Sequence, residues 1–289
     1  MSATGASVEG VLRQAASLLA AGGIEQPRHE ARILLGHVMG LSRERLLVAH
    51  RNPVDAPLVD QLMGLARRRA AHEPIAYLTG EREFWGLSFE VTRDTLIPRP
   101  DSETLIEAVL EAANRERREN ARIVDFGVGG GCLLVSLLKE LPGAEGFGVD
   151  RSVGALKVAR RNARRHGVSS RAHFLAGSWG RSLAPAFDLI IANPPYVAAA
   201  DGTSLMPEVA EYEPAGALFA GARGDEAYRA LAPDFARLLA PGGRVFVELG
   251  AGMGDRVAAI LGGSGLAESG RRKDLAGIER CAIFDLSGA

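Results

Sequence analysis

Apolar residues between Val8 and about Ala71 recur at three- and four-residue intervals, as in Val8, Leu12, Ala15, Leu18 and Leu19, then Ala31, Leu34, Leu35 and Val38. That spacing lines one face of an α-helix and predicts a small helical domain of three or four short helices. Its punctuation is local: Gly22-Gly23 closes one helix, Gly40-Leu41-Ser42 closes another, and Asn52-Pro53 with Pro57 precedes a third over Leu58 to Ala70. Between Tyr77 and Val91, aromatic and β-branched residues around Thr79-Gly80 and Gly86 predict a strand pair.

From Thr104 onward, helical segments alternate with short apolar runs at Ile123 to Phe126, Gly146 to Val149, Ala172 to Leu175, Leu189 to Ala192 and Val245 to Leu249. Such alternation predicts an α/β fold, a mostly parallel sheet covered by helices on both faces. The expected organisation is a helical domain over 1–75, a β-hairpin linker over 76–95 and an α/β domain over 96–289.

Composition narrows the functional classes. With 34 basic and 35 acidic residues the formal charge is −1, so the chain lacks the basic excess of a dedicated duplex-DNA binder. The two cysteines, Cys132 and Cys281, form no Cys-x-x-Cys pair, and the six histidines show no ligand spacing, so neither a disulfide framework nor a metal is expected. Glu9 and Arg13 interrupt the N-terminus without the pattern of a secretory signal. Longer apolar stretches break well before the roughly 20 residues of a membrane helix. The expectation is a soluble protein of the reducing cytoplasm.

Two motifs carry candidate chemistry. Val124-Asp125-Phe126-Gly127-Val128-Gly129-Gly130-Gly131 closes the first strand of the alternating region and opens a helix near Cys132. Glycines there let the backbone turn tightly and approach a ligand. About twenty residues on, Gly148-Val149-Asp150 ends the next strand with a carboxylate suited to both hydroxyls of an unphosphorylated ribose. Together they indicate an adenosine-containing cofactor. The spacing Gly127-x-Gly129-x-Gly131 lacks the two-residue gap of the dinucleotide fingerprint, and the second motif belongs to methyl transfer, which favours S-adenosyl-L-methionine (SAM) over NAD.

That second motif is the strand Phe187 to Ala192, stopped by Asn193-Pro194-Pro195-Tyr196. Prolines fix φ and remove backbone donors, so the loop offers unpaired carbonyls beside the Asn193 amide oxygen. Acceptors converging on both N–H bonds would hold an amide or exocyclic amine for attack, a positioning and electrostatic mechanism. Tyr196 can lie flat against a planar acceptor.

These residues together resemble the HemK/PrmC family, the N5-glutamine methyltransferases that modify the Gly-Gly-Gln loop of peptide chain release factors. The resemblance extends through Glu73 to Gly80, Glu83 to Leu87, Leu96 to Glu103, Asp150 to Gly167, Glu208 to Leu218, Pro241 to Arg244 and Lys273 to Gly277, nearly the whole chain. It implies a class I SAM-methyltransferase, Rossmann-like domain with an N-terminal helical bundle that grips the protein substrate. It also implies that Gly127 to Gly131, Asp150, Trp179 and Asn193 contact SAM, with Trp179 beside the adenine, and that Asn193, Pro194, Pro195 and Tyr196 hold the substrate glutamine.

The sequence departs from the family pattern at Val128 and Gly130, where Thr and Ser are common, and at Glu248-Leu249-Gly250, where the family has Glu-Ile-Gly. Two other functions remain open: N6-adenine methylation of nucleic acid, because the same tetrapeptide can hold an adenine amino group, and a catalytically silent module binding SAM or a translation factor. The expected partner is a release factor, with no nucleic-acid requirement, no membrane, and a monomeric enzyme.

Arg67-Arg68-Arg69, Arg115-Arg117-Arg118 and Arg160-Arg161-Arg164-Arg165 read as solvated helix faces. His166, before Gly167, reads as a helix C-terminal residue. Arg99, Asp101 and Glu103 read as ordering the edge of the cofactor pocket.

Overall fold

The computed structural model describes residues 6–116, 118, 120–181 and 183–288. Arg117, part of the second arginine cluster, lies outside the described residues. The chain forms two compact units, one gathering the described residues of Met1–Gly80 with Met206–Tyr212, the other comprising Glu81–Leu205 and Glu213–Ala289.

The first unit contains α1 (Val8–Ala21), α2 (Pro27–Met39), α3 (Arg43–Val48), α4 (Ala56–Ala70) and α5 (Ile75–Thr79), joined by the later helix α9 (Pro207–Tyr212). Ser7 caps α1, its hydroxyl accepting from the Gly10 N–H at 3.2 Å. Val8, Val11, Ala15 and Leu19 bury their shared face against Leu34, Leu35, Leu62 and Ala66. The unit thus holds more helices than periodicity predicts, because α3 and α5 are too short to show a repeat. Tyr77, expected in the strand pair, lies in α5, which starts after Pro74 and stops at Gly80, whose φ of 76° is left-handed.

The arginine run at the end of α4 is not a uniformly solvated face. Arg69 is buried between Glu30 at 2.5 Å and Glu208 at 2.9 Å. Arg68 forks onto both Glu73 oxygens at 2.7 and 2.8 Å.

The second unit opens with the hairpin β1 (Glu81–Phe84) and β2 (Leu87–Glu90). It continues through α6 (Glu103–Arg115), β3 (Arg122–Phe126), α7 (Cys132–Glu140), β4 (Glu145–Asp150), α8 (Val153–Arg165), β5 (Ala172–Ala176) and β6 (Phe187–Ala192). After β7 (Val197–Ala198) come α10 (Ala215–Leu218), β8 (Phe219–Gly221), α11 (Glu226–Leu238), β9 (Leu239–Glu248), α12 (Gly254–Gly262), β10 (Leu266–Lys273) and β11 (Glu279–Leu286).

Seven strands build one sheet in the order β10-β11-β9-β6-β3-β4-β5, parallel from β9 to β5 and antiparallel at the β10-β11 end. One face packs α6, α7 and the hairpin phenylalanines Phe84 and Phe89; the other packs α11 and α12 through Tyr228, Phe235, Val257 and Leu261. The five expected parallel runs all lie in this sheet. Its two final strands went unforeseen: edge strand β10 carries Glu268, Arg271, Arg272 and Lys273 instead of an apolar run, whereas β11 does hold a buried apolar run, Cys281 to Phe284, which the expected strands omit.

The hairpin is fastened to α8. Arg161 forks onto Glu90 at 2.8 and 2.7 Å, and Arg165 reaches Glu81 at 2.6 Å. These arginines, expected to be solvated, join elements. His166 is the C-cap residue of α8 and contacts the Ser88 carbonyl through Nε2 at 2.9 Å. Among the described residues, no helix is long and apolar enough to cross a membrane, and no His, Cys, Asp or Glu cluster is arranged to hold a metal ion.

Candidate functional site

A cavity of about 470 Å³ opens at the C-terminal ends of the parallel strands, the end where open α/β sheets bind ligands. Gly127, Val128, Gly129, Gly130, Asp150 and Trp179 line it, together with Asn193 and Pro195. Of the residues expected to serve the cofactor, all but Gly131 therefore share one wall system with part of the acceptor loop; Gly131 lies outside the lining and backs onto Ala159 of α8, whose Cβ is 3.2 Å from where a Gly131 Cβ would be.

Geometry explains the glycines unequally. Gly127, Gly129 and Gly131 have φ of 75°, 52° and 82°, left-handed values that burden any residue with a Cβ. Gly130 is different: a Cβ there would touch Thr95 and Asn162 only at ordinary distances, 3.5 and 3.8 Å. Val128 is buried with the core cluster beneath the loop, so its methyls have packing partners. The loop keeps its turn without the two hydroxyls.

Asp150 is held from both sides. Its Oδ2 accepts from the Gly129 N–H at 2.9 Å and its Oδ1 from the Ser152 N–H at 2.8 Å, which leaves further lone pairs on each oxygen. Beneath the loop, fully buried Asn162 donates from Nδ2 to the carbonyls of Gly130 at 2.8 Å and Glu90 at 3.0 Å, while its Oδ1 accepts from the Glu90 N–H at 2.8 Å. One side chain of α8 thus ties the glycine loop to the hairpin.

Trp179 adopts φ of 54°, unfavourable for a bulky residue by about 1–3 kcal/mol. The next residue holds the backbone in place: the Gly180 N–H donates to Asp234 Oδ2 at 2.9 Å, and Arg237 donates to the Gly180 carbonyl at 2.8 Å. Arg237 also donates to the Leu183 carbonyl at 3.0 Å and pairs with Asp234 at 2.8 Å.

At the end of β6, Asn193 and Pro195 face the cavity, Pro194 is buried, and Tyr196 is half-buried outside the cavity lining. The tetrapeptide is contiguous in sequence but divided in space. Tyr196 lies so close to the end of β9 that a Cβ at Gly250 would come within 3.0 Å of its Cδ2. Asn193 Nδ2 donates to Ser102 Oγ at 3.3 Å.

Two carboxyls are buried nearby. Burial, then the charge of Asp150, pushes Asp125 up to about 8. Burial likewise pushes Glu248 up to about 7, against hydrogen bonds from Ser102 and Asn193 that pull it down. The Tyr196 phenol rises to about 12, chiefly through burial and then the nearby Glu248 carboxylate, so it stays protonated.

The rim is held by Glu213, whose Oε2 accepts from the Ile97 N–H at 3.0 Å and whose Oε1 accepts from Arg99. Arg99 also lines the cavity. Asp101 and Glu103 instead brace neighbouring elements: Asp101 pairs with Arg280 at 2.7 Å, and Glu103 accepts from the Trp85 N–H at 2.9 Å.

Known proteins match this arrangement along most of the chain. The PrmC N-terminal domain matches residues 10–80 and the methyltransferase small domain residues 101–211. A release factor glutamine methyltransferase from Rhodospirillum rubrum is 44% identical over 276 residues, covering 94% of this chain and 83% of the relative. One from Cereibacter sphaeroides is 41% identical, covering 96% and 98%. The chain belongs to the release factor glutamine methyltransferase family.

Among solved structures, the hMettl16 catalytic domain superposes with a TM-score of 0.54 at 16% identity, covering 78% of this chain and 82% of that one. A ribosomal protein L11 methylase from Lactobacillus delbrueckii subsp. bulgaricus gives 0.50 at 16%, covering 68% and 84%. These likenesses establish the class I, Rossmann-like methyltransferase fold.

Several residues that brace the walls of this cavity had no expected role. Asn162, Asp234 and Arg237 lie within ordinary amphipathic helices, so nothing in their spacing separates them from surface polar positions. Ser102 and Glu213 lie in segments that resemble the family, yet only the fold brings Ser102 beside Asn193 and Glu213 beside Arg99.

Proposed function

We propose that this enzyme transfers the methyl group of S-adenosyl-L-methionine to the side-chain amide nitrogen, N5, of the glutamine in the Gly-Gly-Gln motif of a peptide chain release factor. The observation that carries this reading is the shared cavity: the glycine loop, Asp150 and Trp179 line the same space as Asn193 and Pro195. Its volume lies within the roughly 300–1,000 Å³ of small-molecule sites.

The residues fit an adenosyl sulfonium. Asp150 retains acceptor capacity for ribose hydroxyls, the glycine loop leaves its backbone open to close approach, and the Trp179 indole offers an apolar face to the adenine. SAM supplies an electrophilic methyl group. The Asn193 carboxamide oxygen and loop carbonyls accept the two N–H bonds of the glutamine amide and orient its nitrogen in line with that methyl. The nitrogen forms the new N–C bond as the S–C bond breaks with its electron pair, leaving S-adenosylhomocysteine. The extra proton then passes from nitrogen to water.

The helical unit serves as the grip on the release factor, and the reaction belongs to the cytoplasm. The near-zero charge disfavours the nucleic-acid reading. Mass spectrometry of a recombinant release factor incubated with the enzyme and SAM tests the proposal, with an adenine-containing oligonucleotide in parallel. One added methyl on the Gly-Gly-Gln glutamine supports it; methylated oligonucleotide beside unmodified factor overturns it.

A further inference from the structure

The segment Lys273 to Gly277, part of the sequence resemblance, lines no wall of the cavity, and none of its residues is buried. It belongs to the turn that joins β10 to β11. The backbone of this turn is nevertheless closely tied. The Asp274 N–H donates to the Ile278 carbonyl at 2.8 Å and the Gly277 N–H to the Asp274 carbonyl at 2.9 Å. Asp274 Oδ1 accepts from the N–H groups of Ala276 and Ile278, both at 2.9 Å. Gly277 supplies the left-handed φ of 82° that closes a short hairpin loop.

From this tied backbone Leu275 projects into water, more exposed than any other large apolar side chain among the described residues, with the partly exposed Ile278 on the same turn. A leucine that buries nothing adds nothing to folding, and turns favour Gly, Pro, Asn, Asp and Ser. Singly exposed apolar residues are ordinary on protein surfaces; the placement of this one is not.

The turn lies at the end of the sheet that carries the site. β6 and β9 run parallel toward the end where Asn193 stands, and β11 runs antiparallel to β9 with Cys281 opposite Glu248, so the turn preceding β11 leaves the sheet at that same end. Arg280 fastens it there. Its Nε donates to Asp274 Oδ2 at 2.9 Å, and its Nη2 pairs with Asp101 Oδ2 at 2.7 Å. Ser102, the next residue, accepts from Asn193 Nδ2 at 3.3 Å. The turn is thus tied to the short segment that touches the acceptor asparagine.

Leu275 is outside the cavity that would hold the cofactor and the glutamine side chain, whereas a protein carrying that glutamine must cover this end of the sheet. We propose that Leu275 is a docking anchor for the protein substrate, entering an apolar pocket on the release factor outside its Gly-Gly-Gln loop. The tied backbone lowers the entropy lost when the side chain is captured. The proposal rests on the glutamine-methylation reading, whose substrate it takes.

Leu275→Ser removes the anchor, and Leu275→Met restores an apolar side chain of similar size. Both should melt with the wild type, since Leu275 is not part of the core. With an intact release factor, Leu275→Ser should raise the KM for the factor about tenfold or more and leave the KM for SAM unmoved, the pattern of lost substrate binding. The dissociation constant of the factor, measured by titration without SAM, should rise by a similar ratio. Leu275→Met should recover most of both losses.

An unchanged KM and dissociation constant in Leu275→Ser would overturn the inference and leave the methylation reading standing, as would equal losses in the Ser and Met variants. A wild type that binds the factor through Leu275 without methylating its glutamine would overturn the methylation reading alone. A wild type that neither binds nor methylates the factor would overturn both.

Discussion

Asn162 Nδ2 lies 2.8 Å from the Gly130 carbonyl, so a buried side chain of α8 governs the underside of the glycine loop. The same amide also satisfies the N–H and carbonyl of Glu90 in the hairpin. Replacing it with Leu leaves these buried backbone groups unpaired, a loss of about 1–3 kcal/mol for each unsatisfied group. Asn162→Leu should melt earlier and bind SAM more weakly; Asn162→Asp keeps the acceptor for the Glu90 N–H but loses the donor to Gly130. Calorimetric melts and SAM titrations of both variants check this, and unchanged SAM affinity in both would remove the loop-bracing role.

Trp179 makes a separable demand on backbone and side chain. Its φ of 54° suits glycine and strains every other residue. Trp179→Gly and Trp179→Ala should both lose SAM affinity, because both lose the indole. The glycine variant should nevertheless be more stable than the alanine variant by about 1 kcal/mol, since only glycine escapes the left-handed penalty. Chemical denaturation of the pair measures the difference; equal stability would mean that the backbone relaxes once the indole is gone.

How far these features were legible follows from the range of the interaction involved. The parallel strands and the Gly127–Gly131 turn were readable because apolar runs and left-handed glycines are local signals. The edge strand β10 was not, since it carries charged residues instead of an apolar run and is defined by its hairpin pairing with β11. At the site, Asp150 and Asn193 announced themselves as polar residues ending apolar strands. Asn162 and Asp234 did not: their roles consist of hydrogen bonds to groups 32 and 54 residues away. The arginine runs misled for the same reason, because a helix face reads as solvated until the acidic groups opposite it are known.

Asp125 gives the fold a pH dependence whose sign is opposite to that of a salt-bridged carboxylate. Burial and the Asp150 charge hold its carboxyl at about 8, while in the unfolded chain it titrates near the usual value of about 3.9. The folded state retains a proton that the unfolded state has lost across that window. Its stabilising contribution is therefore complete below pH about 4 and is lost as the pH rises toward about 8. Asp125→Asn, neutral throughout, should gain stability relative to wild type as the pH is raised from about 5 to about 8. Paired denaturation curves across that range measure it, and a difference that stays flat would show that the Asp125 carboxyl ionises normally in the folded protein.

Arg69 is the strongest electrostatic commitment within the helical unit, because it brings Glu30 of α2 and Glu208 of α9 onto one guanidinium. A further N–H reaches the Glu73 carbonyl at 3.4 Å. Only Arg69 of this group is buried, while Glu30 and Glu208 keep 17% and 30% of their side-chain surface exposed, so its removal should cost more than the roughly 1 kcal/mol of a surface pair but less than the about 3–5 kcal/mol of a fully buried one. Arg69→Met should therefore destabilise the protein far more than Arg67→Met, although both lie in the same arginine run. Arg69→Lys should recover little of the loss, since one ammonium lacks the planar fork that meets separate carboxylates. Triple substitution of Arg69, Glu30 and Glu208 by apolar residues of similar size should return much of the stability. Melting temperatures of the four proteins decide the point: equal effects at Arg67 and Arg69 would mean that the ion pairs contribute no more than a solvated helix face.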